Sequence, residues 1–408
     1  MTTIASTVRR DALVIGLIGA AHFMSHFFQL ALAPLFPLLK EHFDVSWTAL
    51  GGIVTVFYAV SGICQALVGI WCDRYGAARV LYMGLGLLAL SIAAAGLTPS
   101  FWLLYPLAAL AGMGNSVFHP ADLSILSTRV SHGRLGRAYS VHGLSGTLGY
   151  AISPAVIGTL ALTLGWRQAL VIAGLAGLVA LVALSRFDEA LGGGGTGSGA
   201  GRHDHSYGAL IRQAGVVSGF AFFALAAAAG IGFQSFGVTA LLSLNQVTLA
   251  VATTALTVYL LAQASGIFAG GWIVDWTRRH DLVAIAGMGA AAVAMAVIAA
   301  ASLSFTAVLG LVAIAGFTAG TVGPARDLLI RAAAPEGATG KVFGFVYSGL
   351  DIGSCAGPLA FGWLMDHDAP RAVFGAIAIF MLMTLPMAVT VRRSAKALKA
   401  PAADRSPA

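Results

Sequence analysis

Polar side chains recur at helical spacing inside some of the most apolar stretches of this 408-residue chain. His22, His26 and Gln29 stand at i, i+4 and i+7, with Ser25 beside them, which puts them on one face of a helix. Asn115, His119 and Asp122 repeat that spacing, and Pro120 between them frees a backbone carbonyl. Imidazole titrates near neutral pH, and an acid paired with it inside a membrane can take up and release a proton. His119 with Asp122 is therefore the leading candidate for proton exchange. A plainer account exists for both stripes: histidines can join neighbouring helices through hydrogen bonds worth under roughly 2 kcal/mol each, and Asp122 can pair with Arg129 or Arg137.

A second charged group lies at Arg326 and Asp327. A lone Arg at a helix centre costs roughly 2.5–3.5 kcal/mol on insertion scales. Arg326 thus needs Asp122, Asp327, Asp351 or an anionic substrate, the simpler alternative being an ion pair that gates one end of the molecule. Asp351, flanked by Gly349 and Gly353, is deep enough to be held protonated or paired with Arg326. His142 is similarly placed but more ordinary. Gln234, Tyr259 and Gln263, with Tyr58 and Gln65, are candidate cavity-lining residues for which packing is an equal explanation. No nucleophile, base and orienting acid stand together, so no enzyme is expected. No cofactor and no metal are expected either: His203, Asp204 and His205 sit in a glycine-rich stretch without further fixed ligands.

Long apolar elements must position these groups. The chain is 58% hydrophobic and 10% charged, against about 25% charged in an ordinary soluble domain. A helix needs roughly 20 apolar residues to cross the hydrocarbon core, and twelve such spans can be placed. They run over 12–38, 48–71, 79–97, 101–128, 135–163 and 166–186, then 210–239, 247–274, 281–302, 305–331, 340–365 and 370–391. With a cytoplasmic N-terminus, all of the 23 Lys and Arg fall on cytoplasmic segments except Lys40, Arg167 and Arg371 outside and Arg326 within a helix. This asymmetry predicts that both termini are cytoplasmic and that the net charge of +7 reports topology rather than a nucleic-acid partner. The three cysteines suggest no disulfide framework, and the first apolar run is too long for a signal-peptide core.

The chain is also internally repeated. Pro120 and Pro324, Arg137 and Lys341, Gly149 and Gly353, Pro154 and Pro358, Gly158 and Gly362, and Arg167 and Arg371 share one offset of 204 residues. The expected organisation is a six-helix bundle over 1–190, a flexible linker over 191–209, a second six-helix bundle over 210–392 and a tail over 393–408. Nucleotide-loop chemistry is excluded for the linker glycines, since no strand precedes them and no Gly-Lys-Ser/Thr follows. Two charged turns mark matching places in the halves: Gly69-x-x-x-Asp73-Arg74-x-Gly76-x-x-Arg79 and Gly271-x-x-x-Asp275-x-x-Arg278-Arg279. Asp73 and Asp275 could each cap a helix N-terminus of the other half, with Arg74, Arg79, Arg278 and Arg279 adding ion pairs. Such contacts would form a cytoplasmic gate holding an outward-open state.

An all-α membrane protein of twelve helices in two pseudo-symmetric bundles, with the first charged turn between helices 2 and 3, resembles the major facilitator superfamily. Gly146-x-x-Gly149-x-x-x-Ser153-Pro154 resembles its antiporter motif, with Ser153 where glycine is usual. Ser116-Val117-Phe118-His119-Pro120, together with His22-x-x-x-His26 and Pro34-Leu35-Phe36-Pro37, looks like the fosmidomycin-resistance group of exporters. That group carries an acid directly after His-Pro, whereas Ala121 stands here and Asp122 follows, a turn of about 100° around the helix. The resemblance implies a central cavity between helices 1, 4, 7 and 10. His22, His26, Gln29, Asn115, His119, Gln234, Tyr259, Gln263 and Arg326 would then contact substrate, and His119, Asp122, Arg326 and Asp351 would couple transport to protons.

The expected function is proton-coupled efflux of a small amphipathic or anionic compound such as a fosmidomycin-like antibiotic, by a single chain in the bacterial inner membrane. Proton-coupled uptake of an organic acid is the alternative, and a membrane sensor that binds without transporting is a more distant one.

Overall fold

Apolar runs of this length leave the backbone no partner but itself in lipid, and the chain answers with helices throughout. The computed structural model describes residues 2–192, 212–335 and 339–399. In the first half, α1 (Thr2–Gln29) is followed by a 3-10 turn over Ala33–Leu35 and by α2 (Phe36–Phe43). Next come α3 (Trp47–Tyr75), α4 (Ala77–Leu97), α5 (Leu104–Asn115), α6 (Phe118–Arg129), α7 (Leu135–Leu164), α8 (Trp166–Ser185) and the short α9 (Asp188–Leu191). The second half contains α10 (Ala214–Asn245), α11 (Leu249–Trp276), α12 (His280–Ala300), α13 (Phe305–Ala333), α14 (Thr339–Asp366) and α15 (Pro370–Lys399). Among the described residues no strand occurs.

Eleven stretches of the described chain are long and apolar enough to cross a membrane. The 28-residue α14 is long enough to be a twelfth, at about 1.5 Å of rise per residue. Two expected spans are each made of two segments. The first joins α1 to α2 across Pro34, and the fourth joins α5 to α6. The linker expected over 191–209 falls almost wholly outside the described residues. The boundary expected at 393 does not end a helix, since α15 continues to Lys399.

Equivalent side chains do equivalent work in the two halves. Arg167 at the start of α8 donates to the carbonyls of Gly96 and Thr98, the latter at 2.5 Å. Its counterpart Arg371 at the start of α15 donates to Ala299 and Ala301, and also to Ser302 Oγ at 2.9 Å. Each guanidinium closes the carbonyl end of the third helix of its half, where unpaired acceptors and the helix dipole favour a cation. Ser46 and Thr248 cap the starts of α3 and α11 through the N–H groups of Ala49 and Val251. The residues just before these caps also match: Asp44 and Gln246 both take φ of 50°. Gly76, with φ of 87°, lets the first charged turn pass directly from α3 to α4.

The halves meet along α3 with α14 and α7 with α11. Thr55 Oγ1 donates to the Cys355 carbonyl at 2.8 Å, and the Phe36 and Phe236 rings lie 5.5 Å apart. These contacts cluster at the end opposite the charged turns, so the bundle is sealed there.

Arg371→Ala should remove three donors at once and cost about 1.5–3 kcal/mol, the range for charged hydrogen bonds. The melting temperature of the solubilised protein should fall, and Arg167→Ala should act in the same direction. An unchanged melting temperature for both would contradict this account of the repeat.

Candidate functional site

The two helix breaks set the site. α1 ends at Gln29, ahead of Pro34 in the next turn. The fourth span breaks at Ser116–Val117, because Pro120, third residue of α6, has no N–H to offer the Ser116 carbonyl. Asn115 and His119 therefore sit on two helical segments rather than on one continuous stripe.

Asp122 is fully buried, and its charge partners are imidazoles. His142 Nε2 on α7 lies 3.1 Å from Asp122 Oδ2 and donates to it when that nitrogen carries the proton. His22 Nδ1 on α1 lies 3.2 Å from the same oxygen, without the alignment of a hydrogen bond. Asp122 Oδ1 has no hydrogen-bond partner. The His22 and His142 rings stack with centroids 3.6 Å apart. His26 packs on His22 at 4.4 Å, and His119 stands edge-on to His22 at 5.1 Å. Gly146 makes room for this cluster: a Cβ there would come within 3.0 Å of both His22 and His26.

The expected pairing of Asp122 with His119, or with Arg129 or Arg137, is thus replaced by pairing with His142 and His22. One turn of α6 separates His119 from Asp122, but Asp122 points into the α1–α7 seam while His119 is exposed towards the cavity. His142 was legible only as a histidine in an apolar run, with Gly146 one turn further on. Its partner comes from another helix, which spacing within one helix cannot disclose.

A second network lies beyond the histidines. Gln29 Nε2 donates to Asn115 Oδ1 at 3.0 Å, and Ser25 Oγ donates to the same oxygen at 2.8 Å. Asn115 Nδ2 donates to Ser61 Oγ at 3.0 Å. The phenols of Tyr58 and Tyr150 both donate to Gln29 Oε1, at 3.3 and 2.5 Å. Ser61 and Tyr150 were not singled out in the sequence, and they complete the orientation of the amide pair.

Both networks border a cavity of about 520 Å³ between the halves. His26, Gln29, Asn115, His119, Gln234, Tyr259, Gln263, Arg326 and Asp351 all line it, as do Tyr58 and Gln65. His22, expected to face it, lies one layer behind, 2% exposed, together with Asp122. Across the cavity Arg326 Nε lies 3.0 Å from Asp327 Oδ1, and its guanidinium sits 3.9 Å from the Phe223 ring centroid. Asp327 thus answers the question of its partner in place of Asp122 or Asp351. The pair leaves Arg326 on the cavity wall, held over an aromatic face.

The charged turns lie at the opposite end from the seal. Arg74, Arg79, Asp275 and Arg278 are exposed, and Arg279 pairs with Asp281 of its own half. The Asp73 side chain is outside the described residues. Among the described residues no ion pair joins the halves at this end.

Two sets of side chains bring ligand atoms within 4.8 Å of one another: His22, His26 and His119, and His22, Asp122 and His142. In the second set both imidazole nitrogens already lie against Asp122 Oδ2, at 3.1 and 3.2 Å. In the first set His22 Nδ1 already lies against Asp122 Oδ2. His203, Asp204 and His205 fall outside the described residues.

The sequence model of the Major Facilitator Superfamily matches residues 18–244 and 213–407. Fosmidomycin resistance protein of Escherichia coli is 29% identical over 179 residues, 43% of this chain and 44% of that protein. A probable L-galactonate transporter of Escherichia coli is 25% identical over 140 residues, 34% of this chain and 31% of that protein. The matched segments thus span less than half the length of either relative. The fold is similar to that of a bacterial homolog of the human lysosomal transporter Spinster in an inward-facing, occupied conformation. That likeness has a TM-score of 0.76 at 16% identity, over 97% of this chain and 99% of the other.

With the three native cysteines replaced by serine, Thr147→Cys on the exposed cavity wall should react with a hydrophilic maleimide. Val54→Cys, buried at the sealed seam, should be protected by at least tenfold in rate. Equal labelling would mean that the cavity is not open to water in this conformation.

Proposed function

The chain belongs to the Major Facilitator Superfamily, and we propose that it is a proton-coupled transporter that exports a small amphipathic or anionic compound by alternating access. The observation that carries the proposal is Asp122: a carboxylate with no exposed surface, flanked by His142 and His22 and without a guanidinium or ammonium partner. A charge in such surroundings is costly unless paired. One proton shared among the acid and two imidazoles meets that cost, and its gain or loss changes the charge of the whole cluster. His26 and His119 stand between this cluster and the cavity, where they can pass the proton to water or sense a bound anion.

Arg326 supplies the complementary site. Its guanidinium is partly neutralised by Asp327, so an incoming carboxylate or phosphonate competes for it rather than meeting a bare charge. Gln234 and Gln263 on facing helices, with the Gln29–Asn115 pair, offer neutral donors and acceptors to the rest of the molecule. Asp351 adds an acid on the same wall, a second group whose protonation can follow substrate occupancy.

With the Lys and Arg bias placing the charged turns in the cytoplasm, the open cavity faces inward. Asp73, Arg74, Arg79, Asp275, Arg278 and Arg279 then form the cytoplasmic gate that closes when the cavity opens outward. The export reading is supported by the likeness to the fosmidomycin resistance protein. Uptake of an organic acid is the second reading, favoured by Arg326 on the cavity wall and by the likeness to the probable L-galactonate transporter.

In proteoliposomes under an imposed pH gradient, fosmidomycin and a sugar-acid anion serve as probe substrates. Asp122→Asn should abolish the pH-driven component by at least tenfold while leaving counterflow exchange. His142→Ala should act in the same direction, and Arg326→Gln should raise the concentration for half-saturation about tenfold. Normal pH-driven transport by Asp122→Asn and His142→Ala would remove this cluster from coupling. Absence of any transport by the unaltered chain, with binding retained, would favour a sensor.

A further inference from the structure

The start of α3 carries N–H groups that no turn of its own helix can satisfy. Ser46 accepts one of them, from Ala49 at 3.0 Å. The two before it are bound from the other half of the molecule. Trp47 N donates to Asp366 Oδ1 at 2.7 Å, Thr48 N donates to Oδ2 at 2.9 Å, and the Thr48 hydroxyl donates to Oδ2 at 2.6 Å. Asp366 is the last residue of α14. We propose that Asp366 is the latch that holds this end of the transporter closed, by capping the N-terminus of a helix that belongs to the opposite half.

The chemistry suits a contact that must form and break in each cycle. A carboxylate at a helix N-terminus gains from the dipole as well as from its hydrogen bonds. Lys40, whose ammonium donates to the Val45 carbonyl and lies 5.0 Å from the Trp47 ring centroid, adds positive charge nearby. Burial alone would raise the Asp366 pKa, but the hydrogen bonds from Thr48 and Trp47 and the charge of Lys40 hold it below the usual carboxylate range. The group is therefore ionised at neutral pH. Asp366 is also exposed, so on opening both the carboxylate and the released N–H groups return to water. Charges sealed from solvent would not separate so readily.

The surrounding seam explains why the latch sits here. A Cβ on Gly51 would strike the Pro358 carbonyl, and one on Gly362 would come 2.7 Å from the Trp47 carbonyl, so α3 and α14 touch backbone to backbone. That closeness brings the end of α14 onto the start of α3. Among the described residues no ion pair crosses between the halves, and Asp366 is the charged side chain whose hydrogen bonds do. The symmetry-related seam lacks the device. The 204-offset counterpart of Asp366 is Leu162, and the start of α11 is capped by its own Thr248. Among the described residues, one of the two equivalent seams thus carries a polar lock and the other shows none.

The test rests on alternating access but needs no substrate. In a cysteine-free background, spin labels at Leu164→Cys and Val251→Cys report the separation of the halves at the sealed end, in the full chain in lipid nanodiscs. Asp366→Ala should raise the ratio of long to short distances roughly 5- to 30-fold, as expected for loss of a helix cap. Asp366→Asn, which keeps one acceptor, should show a smaller rise. Thr48→Val removes a partner from the other half and should shift the ratio in the same direction, which covers the case of an Asp366→Ala protein that fails to fold. Asp368→Asn changes the same charge two residues away and should leave the ratio as it was. Distance distributions unchanged in Asp366→Asn and Thr48→Val, or shifted equally by Asp368→Asn, would overturn the latch. Proton coupling through Asp122 is read by a different assay and stands or falls separately.

Discussion

One buried carboxylate, flanked by imidazoles rather than by a guanidinium, shapes the first half of this protein. Asp122 has no exposed surface, and an isolated ionised acid in such a place would be prohibitive. Everything around it serves to make it tolerable. Two imidazoles reach one oxygen from α1 and α7, glycine at 146 lets those helices close over the rings, and the break before Phe118 sets the short α6 that carries the acid. Replacing the imidazoles by a lysine or arginine would neutralise the acid permanently. Imidazoles instead carry a charge only when protonated, so they do not fix the charge of the cluster.

The second half answers with a different solution to the same problem. Arg326 is balanced by the adjacent Asp327 and rests over Phe223, so its charge is satisfied locally and still faces the cavity. The duplicated scaffold is therefore preserved where it stabilises, in the paired roles of Arg167 and Arg371 and of Ser46 and Thr248. It diverges where it would act on a ligand. An acid lies hidden behind one wall, and a cation paired with its neighbouring acid is displayed on the other.

The seams show the same division. At the sealed end glycines bring backbones together and Asp366 caps α3. At the other end the arginines of the charged turns are exposed or paired within their own half. Helix-end electrostatics are expected at the charged turns; among the described residues of this conformation the cap that crosses between the halves lies at the far end.

The sequence alone determined the helical class, the number of spans, the duplication and most of the cavity lining, because apolar length, charge distribution and offset are properties of the chain read in order. Gln29, Asn115, His119, Gln234 and Arg326 were visible as polar groups that an apolar span does not carry without reason. Tertiary structure alone decided which of them meet. His142 reaches Asp122 from 20 residues away, Tyr150 reaches Gln29 from 121, and Asp366 reaches Thr48 from 318. Hydrogen bonds between helices depend on how each helix is rotated and where it breaks, and those are fixed by packing against neighbours rather than by the spacing within any one of them.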